Sequence, residues 1–202
     1  MTIGPVDNPP QRRERIDAVR NRERVLRAAE KLFAERGFEG VLMEDVAHEA
    51  GVGKGTLYRR FADRAELAAA LLDDRERRLQ DDLLRGPPPL GPGAAPVERL
   101  VAFLRALGEL TEANLDLVLA SETGRAGARY RLGAYAVWRL HVRVLAEQAE
   151  PSLDAEWLAD ALLAPLAAEL YRHQRHELGM SAARIAAGLE RLACDALQVS
   201  KP

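Results

Sequence analysis

Lys54, Thr56, Tyr58, Arg59 and Arg60 place three cations and two hydroxyls within seven residues. Cations and hydroxyls hold phosphate oxygens, and arginine can donate two hydrogen bonds to a guanine edge. Such groups are useful only if a rigid element aims them. The apolar residues around them supply one. Val46, Ala50, Val52, Leu57 and Phe61 are spaced to lock two short helices together. Ala47 is small where a second helix must cross, and Gly51 stands four residues later, where the chain must turn sharply. With the apolar set buried, the second helix turns its cations and hydroxyls outward. This is a helix-turn-helix, with the second helix as the reader of a duplex.

The run Ala47-x3-Gly51-Val52-Gly53-Lys54-Gly55-Thr56-Leu57-Tyr58-x2-Phe61-x2-Arg64-x2-Leu67 resembles the DNA-binding signature of TetR-type transcriptional regulators. The resemblance is strong over about the first third of the chain. Beyond that it extends only to length and helical character. It implies a homodimer on a palindromic double-stranded DNA operator, released by a small-molecule effector. The implied contacts are Lys54, Tyr58 and Arg64 on phosphate, and Thr56, Arg59 and Arg60 in the major groove. Two positions depart from the pattern. The family often has threonine where Met43 stands and serine where Gly53 stands. Met43 can neither cap a helix nor touch phosphate by its side chain, whereas Gly53 keeps a backbone N–H for that purpose.

Other chemistries fit the residues less well. A phosphate loop needs Gly-Lys followed directly by Ser or Thr, and a glycine five residues upstream. Here Gly55 follows Lys54, His48 fills the upstream position, and no strand-like run precedes it. No Gly-x-Ser-x-Gly and no distinctive carboxylate pair points to catalysis, so no enzyme is expected. The sole cysteine, Cys194, excludes an internal disulfide framework and a cysteine-rich metal site. His173 and His176 lie near Glu169 and Glu177, which reads better as a solvated helix end than as a metal site. No cofactor is expected.

The chain has 202 residues, long enough for a sizeable core. It has no apolar run near the roughly 20 residues of a membrane span. The absence of a signal peptide and of paired cysteines makes the cytoplasm the expected compartment. Through Ala62 there are 12 Lys/Arg against 10 Asp/Glu, and beyond it 17 against 21. The differences, +2 and −4, suit a local basic face rather than a basic domain.

Taken in order, residues 1–15 hold Pro5, Pro9 and Pro10 with little apolar content, and read as a disordered arm. Its Arg12, Arg13 and Arg15 could reach a minor groove. Residues 16–62 form the helix-turn-helix domain, opened by a helix that Gly37 ends, with Phe38 folding back on Leu32 or Phe33. Residues 63–202 form a helical effector-binding and dimerisation domain. Asp63-Arg64-Ala65-Glu66 is a capping box for a long helix that runs to Gly86. The prolines between Gly86 and Pro96 mark a loop. Everything after it reads helical, with Pro165 kinking a helix from about Asp154 to Leu178. The architecture is all-α: a three-helix head on a helical-bundle body, about nine helices in all.

Two duties fall to the body. Phe103, Leu104, Leu107, Tyr135, Trp138 and His141 have the aromatic walls and few polar tips that suit a largely apolar effector. The same aromatics would serve equally as plain core. Ala161, Ala164, Ala168, Ala182 and Ala186, with Leu189, allow the last helices to approach a second copy closely, as the resemblance implies. A regulator of the same fold that activates, or that answers to a protein partner, is the alternative. A helical adaptor that does not bind DNA is a more distant one.

Overall fold

A computed structural model describes residues 9–123, 127–131 and 133–198. The described residues form eleven α-helices and no strand. By internal contacts the chain divides into two units, 1–71 and 72–202.

The head opens with α1 (Pro9–Arg36). It therefore begins inside the segment expected to be a disordered arm. Pro9 and Pro10 occupy its first turn, where a missing N–H leaves no bond unmade, so they start the helix rather than prevent it. Residues 1–8 and the side chains of Arg12, Arg13 and Arg15 lie outside the described residues. Gly37 donates its N–H to the Phe33 carbonyl, and Phe38 returns to Phe33 with ring centroids 5.4 Å apart. The motif helices follow as α2 (Met43–Ala50) and α3 (Lys54–Tyr58). Val25, Ala29, Leu32, Val41, Met43, Val46, Ala47, Leu57 and Phe61 are buried. Met43 thus belongs to the core of the head, in keeping with its inability to touch phosphate.

α4 (Arg64–Arg85) begins as a capping helix should. The Asp63 carboxylate accepts from the Glu66 N–H at 2.8 Å, and Glu66 reaches back to the Ala62 N–H at 2.6 Å. Its first two turns, with Leu67, Ala68 and Leu71 buried, belong to the head. The division consequently falls at 71/72 rather than at the expected 62/63.

In the body, Pro87 to Ala95 forms the expected loop. It closes so tightly that a Cβ on Gly91 would lie on the Gly86 carbonyl oxygen. Then come α5 (Pro96–Ala113), α6 (Leu115–Thr123), α7 (Ala128–Arg131), α8 (Gly133–Ala149), α9 (Ala155–Leu163), α10 (Ala168–Arg172) and α11 (Ala182–Gln198). Leu100, Phe103, Leu104, Val142, Leu145, Leu158, Leu162, Leu166, Tyr171 and Ile185 share one core.

Pro165 does more than kink its helix. α9 stops at Leu163, a 3-10 turn spans Ala164–Leu166, and Ala167 is extended before α10 begins. A π-helical turn, His173–Glu177, follows α10. The break leaves carbonyls and N–H groups without helical partners, and one ion pair serves both ends. Arg129 donates to the carbonyls of Leu163 and Leu166, at 3.0 and 3.3 Å. Glu122 accepts from the Ala168 N–H at 2.8 Å and pairs with Arg129. This replaces the lost backbone bonds with charge-assisted ones.

Candidate nucleic-acid interface

The reading helix is held by its neighbours before it meets any ligand. Gly51 ends α2 in the left-handed region, at φ 61° and ψ 41°, where a Cβ would be strained. A Cβ there would also meet the Arg24 guanidinium at 2.8 Å. Arg24, from α1, donates to the carbonyls of Ala50 and Gly51 at 2.5 and 2.9 Å. It closes the end of α2, where cations complement the helix dipole. The sequence offered only a weak signal of this role, because long arginines on α1 are numerous.

Gly53 is the N-cap of α3, and its carbonyl accepts from Thr56 and Leu57. Leu57 and Phe61 are buried, and Lys54, Thr56, Tyr58, Arg59 and Arg60 are exposed. Their side chains nevertheless differ in freedom. Lys54 Nζ lies 3.1 Å from Glu44 on α2, an exposed pair that phosphate could replace at small cost. Arg59 folds along α3, with Nε on the Gly55 carbonyl at 3.2 Å and a terminal nitrogen on Thr56 Oγ1 at 3.3 Å. The pair presents a cation and a hydroxyl side by side. Arg60 instead turns to the Ala18 carbonyl of α1, at 3.3 Å. That geometry braces the head rather than extending toward a base edge.

Arg64 departs furthest from expectation. Its guanidinium donates to the carbonyls of Phe38 and Glu39, each at 2.9 Å, and to the Glu39 carboxylate at 2.7 Å. It also lies over the Phe38 ring. Its two terminal nitrogens are thus engaged within the head, where Arg64 clamps the α1–α2 turn rather than extending as a phosphate contact would. The spacing that suggested a first-turn cation was sound, but its direction depended on where Phe38 and Glu39 lie.

In the body, Phe103, Leu104, Leu107 and Trp138 are all buried in the main core. Phe103 meets Trp138 at 5.6 Å and His141 edge-on at 5.0 Å between ring centroids. Burial, and then the charge of Arg99, push the His141 imidazole down to about 4. Tyr135 does not join this group through its hydroxyl, which donates to Asp160 at 2.9 Å in a cleft with Arg129, Tyr130 and Arg139. Burial and that carboxylate raise the phenol to about 12, while Arg139 holds Asp160 below the usual carboxylate range.

A second, more apolar groove of about 570 Å³ lies between α5 and α11. Leu104, Gly108, Tyr171, Ala182 and Ala186 line it. Two of the residues expected at a dimer face are corrected. Ala168 is fully buried against Leu72 and Val118, and Leu189 lies in the main core. Small size at Ala168 serves packing within one chain. Ala161 is half-buried and Ala164 exposed. His173 meets Glu177 at 2.7 Å, and no group of three metal-ligating side chains occurs among the described residues.

α2 and α3 form a helix-turn-helix whose second helix exposes its cations and hydroxyls, the arrangement that DNA-reading heads share. Residues 25–71 match the family model described as bacterial regulatory proteins, tetR family. Over that segment the head is similar to the tetR-family regulators, and the sequence likeness rests on it alone. An HTH-type transcriptional regulator of Staphylococcus aureus is 49% identical over 53 residues, 26% of this chain. The match spans only 29% of that relative's length. A solved TetR-family regulator from Rhodococcus sp. is 25% identical, with TM-score 0.61, covering 89% of this chain and 98% of that one. A regulator from Saccharomonospora viridis, solved in complex with choline, has TM-score 0.64 at 22% identity, covering 84% and 93%. No helix among the described residues is long and apolar enough to cross a membrane.

Proposed function

We propose that the protein is a homodimeric transcriptional repressor that binds a palindromic operator and leaves it when a small, largely apolar effector occupies the body. The observation that carries the DNA-binding part is α3: Leu57 is buried beneath it while Lys54, Thr56, Tyr58 and Arg59 are exposed. Lys54 and Tyr58 hold phosphate, and Thr56 and Arg59 read the major groove. Gly53 adds a backbone N–H.

Several features support the rest. α4 runs unbroken across the division at 71/72, so one helix belongs to both units. An effector that binds the DNA-incompetent state more tightly shifts the population toward it, with coupling typically about 1–3 kcal/mol. The choline in the Saccharomonospora relative supports a small-molecule effector. Trp157, Leu170 and Leu192 are large apolar side chains left exposed on α9, α10 and α11, which supports a second copy as their partner. A two-fold dimer presents its reading helices about 34–36 Å apart, one turn of DNA. The protein acts in the cytoplasm and is not an enzyme.

Selection of bound oligonucleotides from a random pool tests the reading. A palindrome with half-sites spaced by whole turns is expected. Recovery of no preferred sequence, from a protein that is folded and dimeric, would favour a helical adaptor and overturn it.

A further inference from the structure

We propose that Arg99 and His141 are the polar end of the effector site, and that the effector is an apolar carboxylic acid. The inference rests on the ligand-responsive reading above and names the class of ligand for it.

Arg99 lies on α5, one turn before Phe103. One terminal nitrogen donates to the Leu83 carbonyl of α4 at 3.2 Å. Its Nε is sealed from solvent with no acceptor, and no carboxylate among the described residues pairs with the guanidinium. His141 Nε2 is sealed and unpartnered in the same way. Its ring stands edge-on to Phe103, and Phe103 packs on Trp138. Burial and the Arg99 charge keep the imidazole neutral. Folded proteins leave few buried polar atoms unmatched, because each unmade bond forfeits solvation without return. Here two such atoms occur on α5 and α8, which pack together, and the imidazole that carries one of them meets Phe103 edge-on.

A carboxylate completes both. One oxygen accepts from Arg99 Nε–H, and the other from His141 in the tautomer that carries its proton on Nε2. The negative charge balances a guanidinium that otherwise has none to meet, and such charge-assisted pairs are the stronger ones. The apolar remainder of the acid lies against Phe103 and Trp138. A neutral carbonyl could accept the same bonds but would leave the cation uncompensated. An amine would be repelled by Arg99.

The test is calorimetric titration of the full chain, without DNA, with naphthalene-1-acetate and decanoate. Their methyl esters and decylamine serve as matched controls. At least one acid is expected to bind tenfold or more tighter than its ester, and the amine not at all. Arg99→Met keeps the apolar stem and is expected to lose at least tenfold in acid affinity while ester affinity stays within twofold. His141→Phe carries the same expectation if Arg99→Met does not fold. The proposal is overturned if neither acid binds, if esters bind as well, or if both variants retain acid binding. A single bridging water at the site would give the first of these. Oligonucleotide selection on the same preparation separates the two readings. A selected operator without acid binding sinks only this proposal, and acid binding without any operator sinks only the regulator.

Discussion

The Arg64 guanidinium lies 4.3 Å from the centre of the Phe38 ring while donating to the Phe38 and Glu39 carbonyls. A residue at the first turn of α4 therefore fixes the turn between α1 and α2.

Arg64→Ala should destabilise the head by about 1–3 kcal/mol, as expected for hydrogen bonds to a charged group. Denaturant unfolding measures this. The salt dependence of DNA binding should keep its slope, since no phosphate contact is removed. A slope lower by about one unit would restore Arg64 to the phosphate contacts.

Lys54→Ala and Arg59→Ala should fail differently. Lys54 is an exposed cation paired with Glu44. Its loss should weaken operator and random DNA alike and flatten the salt slope by about one unit. Arg59→Ala should cost about 1–3 kcal/mol on the operator and less on random DNA. Titration of each variant against both duplexes decides, and parallel losses for both would contradict the division of roles.

The Glu122–Arg129 pair should matter more than the exposed ion pairs, because both side chains are largely buried and both ends of a helix break depend on them. Removing one partner leaves an uncompensated buried charge, at about 3–5 kcal/mol. Arg129→Met should show a loss of this order by denaturant unfolding. The double variant Glu122→Gln/Arg129→Met should lose less than the two single losses added together.

Two groups of the body should give opposing pH dependences. Burial, then Asp73 and Glu122, raise the Glu76 carboxyl to about 7. The folded state therefore favours its proton, and the stability it contributes is full below about 4.5 and lost as pH rises to about 7, on the order of 1–3 kcal/mol. His141 is depressed to about 4, so its contribution is full above about 6.5 and lost as pH falls toward 4. The two trends oppose each other between about 4.5 and 6.5. Glu76→Gln should leave stability rising with pH across that window, and His141→Phe should leave it falling. Thermal melts from pH 4 to 8 would show either slope, and unchanged profiles in both variants would refute the assignment.

The local order of the chain was legible from residue type. The periodicity of Val46, Ala50, Leu57 and Phe61 determined the hairpin, Gly51 its turn, and Asp63 with Glu66 the start of α4. These are short-range matters, settled by φ preferences, capping and a single apolar stripe. Tertiary structure decided what the long polar side chains do. Arg24, Arg60 and Arg64 carry the same group, yet each turns inward to carbonyls whose positions depend on how α1 packs. It also decided that Pro165 breaks its helix outright, because Glu122 and Arg129 arrive from elsewhere in the sequence to satisfy the severed backbone. An arginine reaches far enough to find partners dozens of residues away, and only the packed chain fixes which ones lie within that reach.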